Sequence, residues 1–384
     1  MIRCTDPANR PESRGSQNAV PVGVPSGPAV GYRPDVTVSA DERFDSDTWG
    51  RTPTNYSIIE EDSVIEDTGR SYHGYKQGKY YIPNDGVEQD RLDFQHRMFL
   101  EALDGQLSLA PLPDSPRQVL DICCGTGIWS IQFAEAHPDS TVLGTDLSFI
   151  QPSTGIPPNC SFIKEDAEDE WLYPHKFDYI HFRFVTTCFD DPKAVMRSAF
   201  ENLNPGGWIE YQDIQTGFWS PDESVRGTSI EKWGRHLIAG AAAKGRNIDV
   251  ARHYKTWMEE LGFENVTQVS VPLPGNVWPR DRKWKRVGAY LSRDLLMGLD
   301  GISRKMLVAA GLSPSEIATL LTNVRKELVN TQIRWSFPAV VVYGQKPLVT
   351  RQLPPLNGLS VRQADSVEES ALRKFDSGTR DYLR

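Results

Sequence analysis

The sequence predicts an α/β protein built on a doubly wound, Rossmann-like parallel sheet, and three observations carry that reading. An apolar run, Val119-Leu120-Asp121-Ile122, stops at a small-residue turn, Cys123-Cys124-Gly125-Thr126-Gly127, and enters a helical pattern at Ile128. Short β-branched or aromatic runs then alternate with helical patterns as far as Tyr211, the signature of parallel strands joined by crossover helices. The second of these runs closes on a carboxylate, Asp146, where such a sheet presents its ligand edge.

Taken in order, residues 1–50 carry scattered Pro, Gly, Ser and Asp. Such a stretch cannot offset its ordering entropy by burial, so a tail without fixed structure is expected. Order should begin near Asn55, in a helical and aromatic lid segment over residues 51–112. Asp85 stands where it can cap the next helix. Leu92, Phe94, Met98, Phe99 and Ala102 recur at helical spacing between Val87 and Leu103.

The main domain is expected over residues 113–348. Its first strand is Gln118 to Ile122, and the helix after Gly127 ends at His137-Pro138, because proline disfavours helix in the residue before it. Thr141 to Asp146 and Ser161 to Ile163 read as the second and third strands, and Phe177 to Phe182 as the fourth. Asp191-Pro192 opens a helix as N-cap and first-turn proline. Asn204-Pro205-Gly206-Gly207 stops that helix, and Trp208 to Tyr211 starts a fifth strand. Helical insertions are expected at about 228–262 and 280–330, covering the ligand edge. Between and after them come a strand from Asn265 to Val271 and a closing strand from Phe337 to Gly344. Residues 349–384 read as a second tail.

Composition narrows the function. The 384 residues carry a formal net charge of -9, which argues against direct nucleic-acid binding, since phosphate contact needs clustered Lys and Arg. No apolar run approaches the roughly 18 residues of a membrane helix. The five cysteines lack a framework spacing and Cys123-Cys124 is not a CxxC pair. Reduced thiols in a soluble cytoplasmic or nuclear protein are therefore expected, with no metal site.

Two ligand templates compete for the turn. A dinucleotide site wants glycine at positions 123, 125 and 128, and only Gly125 matches. A GxGxG turn wants glycine at 123, 125 and 127, and Gly125 and Gly127 match. Preceded by the acidic Asp121, that pattern resembles class I S-adenosylmethionine-dependent methyltransferases. The longer set Tyr72-His73-Gly74-Tyr75, Tyr81-Ile82-Pro83-Asn84-Asp85, Glu88-Gln89-Asp90-Arg91-Leu92, Gly125-Thr126-Gly127-Ile128-Trp129, Gly144-Thr145-Asp146-Leu147-Ser148 and Ile150-Gln151-Pro152 is similar to the LaeA-like fungal members of that class. The resemblance covers roughly residues 66–347.

The resemblance implies a mostly parallel sheet with an antiparallel last strand, S-adenosylmethionine as cofactor, and a small-molecule or protein methyl acceptor. It implies a cofactor site made of Asp121, Cys123, Gly125, Gly127, Asp146, Leu147, Asp166 and Ala167. Asp146 would accept the ribose hydroxyls, and Asp166-Ala167 would face the adenine. Cys123 stands where the class usually has its first glycine. Tyr72, Tyr75, Tyr80 and Tyr81 are candidates to flank the cationic sulfur by cation–π contact, and Tyr72 and Tyr81 are expected to line the cofactor site. His181, near the end of the fourth strand, is the candidate base. Family members are either tailoring enzymes of secondary metabolism or nuclear regulators acting through protein partners, and the resemblance does not separate the two. A nicotinamide-dependent oxidoreductase fails at Ile128.

Overall fold

A computed structural model describes residues 63–65 and 69–348. Both expected tails lie outside these residues. Two short strands, β1 (Val64–Ile65) and β2 (Ser71–Tyr72), pair antiparallel ahead of helix α1 (Gly86–Ala102). The Asp85 side chain accepts from Glu88 N and so caps α1.

The alternating region forms β3 (Gln118–Ile122), α2 (Ile128–Ala136), β4 (Thr141–Asp146), β5 (Cys160–Lys164), β6 (Phe177–Arg183), α3 (Pro192–Asn202) and β7 (Leu203–Ile214). It continues with α4 (Ser229–Ala243), α5 (Tyr254–Leu261), β8 (Glu264–Pro274), α6 (Arg282–Ala309), α7 (Pro314–Leu328) and β9 (Ser336–Gln345). Strands β3 to β9 make one seven-stranded sheet in the order β5-β4-β3-β6-β7-β9-β8. β3, β4, β5, β6 and β7 pair in parallel, while β9 runs antiparallel to both β7 and β8. The mostly parallel sheet with an antiparallel last strand is thus present.

One local expectation needed adjustment. The fifth strand of the alternating series starts at Leu203, five residues before Trp208, although a glycine pair follows Pro205. Gly206 N donates to Lys346 O and Lys346 N to Gly207 O, so the returning chain after β9 holds this stretch in register. The run 280–330 forms two helices, and one of them, α6, is 28 residues long.

Helices α1, α4, α6 and α7 contribute Phe99, Trp233, Leu295 and Leu321 to one apolar core that also takes Leu273 of β8 and Val341 of β9. The cap therefore shares its core with the sheet. Gly240 of α4 allows the closest approach within it. A Cβ there would lie 1.9 Å from Met306 O of α6. Among the described residues no helix is long and apolar enough to cross a membrane.

Candidate functional site

The turn after β3 owes its shape to backbone handedness. Cys123, Gly125 and Gly127 have φ of 57°, 56° and 74°, all in the left-handed region that glycine adopts freely and other residues resist. The GxGxG template thus records three left-handed steps, and this chain meets the first with cysteine. Space is also tight at the two retained glycines, most of all at Gly127. A Cβ on Gly127 would lie 2.5 Å from the Phe162 ring, and one on Gly125 would lie 3.2 Å from Leu92 of α1.

Asp146 closes the turn from the end of β4. Its Oδ2 accepts from Gly125 N (2.9 Å) and its Oδ1 from Ser148 N (2.9 Å). Both carboxylate oxygens thus hold the turn at the ligand edge of the sheet. Asp166, after β5, is ion-paired through Oδ2 to Lys76 (2.8 Å) and to Lys79, and its Oδ1 accepts from Glu168 N. Burial raises its pKa, but the two lysines and the amide outweigh that and hold it below the usual carboxylate range. The same lysines tie the segment after β2 across the ligand edge of the sheet, and Arg246 donates to Lys79 O (3.0 Å) from the far side.

Asp121, Cys123, Gly125, Asp146, Leu147, Asp166 and Ala167 line one cavity of about 280 Å³. Gly127 shapes the turn without lining it. Its neighbour Cys188, together with burial, pushes the pKa of the Cys123 thiol well above the ordinary value.

Three placements differ from expectation. Tyr72 and Tyr81 lie outside the lining: Lys305 Nζ sits 3.4 Å from the Tyr72 ring centroid, and Lys244 and Arg246 lie over Tyr81. Of the four tyrosines, Tyr80 is the one that reaches the cavity, and burial raises its pKa well above the ordinary value. Adjacent Tyr80 and Tyr81 face opposite ways, which spacing alone did not reveal. His181 closes part of the wall, yet its side chain has no accessible surface. It stacks on Trp129 at 3.7 Å, and its Nδ1 lies 2.8 Å from Asp121 Oδ1, whose other oxygen accepts from Ser130 Oγ. Its Nε2 is buried without a partner and burial depresses its pKa. That sealed position suits a structural histidine and corrects the expectation of a base facing the acceptor. Asp121 is correspondingly committed inside the protein.

Other lining residues were not among those expected in the site. Arg91 of α1 donates to Glu88 and, through Nη1, to Asp294 of α6 (2.8 Å), and all three are buried. Burial pushes Asp294 up to about 6, partly offset by Arg91. Trp233 of α4, Phe218 ahead of it and Phe337 of β9 add aromatic surface. Asp294, a charged residue among the buried positions of α6, was the available signal.

A methyltransferase-domain family model matches residues 94–268. Methyltransferase pytC of Aspergillus terreus is 36% identical over 282 residues, covering 73% of this chain and 87% of the relative. Protein-methionine methyltransferase laeA of Emericella nidulans is 31% identical over 302 residues, covering 77% and 80%. Secondary metabolism regulator laeA of Monascus pilosus is 31% identical over 292 residues, covering 74% and 78%.

Proposed function

We propose, for a chain that belongs to the LaeA-like fungal family of class I S-adenosylmethionine-dependent methyltransferases, that it methylates a small molecule of secondary metabolism. The observation that carries this reading is one continuous cavity, running from the left-handed turn, Asp146 and Asp166 into the apolar cap.

The residues present fit the cofactor. The Gly125 position leaves the backbone bare beside Asp146, whose carboxylate stands at the end of β4 where two ribose hydroxyls would be received. When bound, S-adenosylmethionine supplies a methyl group on a cationic sulfur that is already activated for transfer. The protein then has to orient an acceptor and exclude water, effects worth several kcal/mol. The cap helices exclude water, and Tyr80 is the aromatic ring available to a nearby cation. Asp166 and Ala167 are assigned to the adenine side, with Lys76 and Lys79 drawing residues 69–84 over it as a lid. No dedicated base is required of the chain, and His181 is not assigned that role. The unpaired thiols Cys123, Cys124, Cys160 and Cys188 support a cytoplasmic or nuclear location.

Calorimetry with S-adenosylhomocysteine and the full chain tests the reading, and absence of binding heat would overturn it. Asp146→Ala should weaken binding by about 1.5–3 kcal/mol, the worth of hydrogen bonds to a charged group, and an unchanged affinity would refute its assignment. A second reading, a regulator acting through protein partners, is favoured by the likeness to a relative named as a regulator. Retention of biological function in a Gly125→Val variant that no longer binds S-adenosylhomocysteine would decide for it.

A further inference from the structure

We infer that the cap half of the cavity is the acceptor site for an apolar, ring-bearing small molecule with one hydrogen-bond donor, held between an aromatic wall at Phe218 and the Glu88–Arg91–Asp294 cluster. The assignment as acceptor site rests on the methyltransferase reading; the chemistry of the occupant follows from the lining itself.

Helix periodicity builds the wall. Leu291, Asp294 and Leu295 share one face of α6, and Trp233 and Leu237 share one face of α4, and all of them line the cavity. Phe218 is fixed between them. It stacks on Trp233 (6.3 Å, 25°), meets Trp335 edge-on (5.4 Å, 89°) and leans on Phe337 (5.0 Å, 35°). Gly234 makes room for it, since a Cβ there would lie 2.5 Å from the Phe218 ring. Preset flat surfaces of this kind favour rings, through offset-stacked and edge contacts.

A peptide fits this lining poorly. Its backbone N–H and C=O groups would be stranded against apolar side chains. A single side chain reaching in would leave most of the wall uncovered.

The polar contact sits at the α1–α6 seam. Two carboxylates, Glu88 and Asp294, face one guanidinium, Arg91, and all three line the cavity. With both acids ionised the cluster carries one uncompensated negative charge. A ligand hydroxyl or ammonium donating to Asp294 would relieve it, and the upward push on the Asp294 pKa from burial reports the same strain. The cluster is the complement of a donor and repels an anion.

The test uses 2-naphthol and naphthalene as probes on the full chain, with and without saturating S-adenosylhomocysteine, read by tryptophan fluorescence and calorimetry. We expect saturable 2-naphthol binding, with naphthalene about ten-fold weaker for want of the donor. Asp294→Asn should shrink that difference at least three-fold. Leu237→Trp, which fills the lobe, should weaken both probes about ten-fold with S-adenosylhomocysteine affinity held within two-fold; Leu237→Phe serves as the milder version should the first variant fold poorly. Absence of saturable binding, equal affinity for the two probes, or probe binding indifferent to position 237 would each overturn the inference. Failure of S-adenosylhomocysteine to bind would instead overturn the methyltransferase reading, and the titration without it would still decide the apolar site.

Discussion

Replacing Cys123 separates backbone strain from side-chain packing in the turn. Its φ of 57° is left-handed, which costs an L-residue about 1–2 kcal/mol. Its thiol packs with the core that holds Leu120, Phe182 and Tyr211. Cys123→Ala keeps the strained backbone and removes the sulfur, at roughly 1 kcal/mol for a partly buried atom of that size. Cys123→Gly also removes the strain, but it loosens the unfolded chain by about 0.5–1 kcal/mol. In regular structure glycine is less stable than alanine by about that amount. Here the order should invert, with Cys123→Gly equal to Cys123→Ala or more stable by up to about 1.5 kcal/mol. Urea unfolding of the full-length variants at constant slope measures the difference directly, because the midpoint then reports stability alone. S-adenosylhomocysteine affinity of the glycine variant should be unchanged or improved. An alanine variant more stable than the glycine variant by about 0.5 kcal/mol or more would refute a left-handed residue at this position.

Two further perturbations test the frame around the site. His96 is pushed down to about 3 by burial and by the neighbouring Arg183. Below the unfolded value of about 6.5 the unfolded chain gains a proton that the folded chain refuses, so stability falls as pH falls, by up to about 1.4 kcal/mol per unit. His96→Gln should remove that slope, narrowing its gap to wild type by about 1.5 kcal/mol between pH 6.5 and pH 5 in urea titrations; parallel curves would mean that His96 titrates normally. Gly240→Ala forces a Cβ against the Met306 carbonyl, a backbone atom that cannot swing away. A stability loss of at least about 2 kcal/mol in thermal or urea unfolding is expected, and an unchanged value would deny the α4–α6 crossing there.

Much of the fold was legible because its signals are local. Asp85 and Asp191 cap helices where a side-chain oxygen meets exposed amides, and β3, β4 and β6 follow β-rich runs that needed no distant partner to be recognised. The glycine turn was legible for the same reason, since φ is a property of single residues. The start of β7 at Leu203 was not, because the glycine pair reads as a terminator until the chain after β9 supplies hydrogen bonds to it.

By itself the sequence determined the handedness of the turn, the carboxylate at the end of β4 and the alternation that makes a parallel sheet, because covalent geometry and short-range periodicity specify each of these. Only the tertiary structure decided that Tyr80 rather than Tyr72 or Tyr81 meets the cavity, and that His181 is sealed between Trp129 and Asp121. It alone brought Asp294 to Arg91 across 203 positions of chain. Which side chains share a cavity depends on how distant helices close over the sheet, and packing of that kind leaves no local trace at the residues it joins.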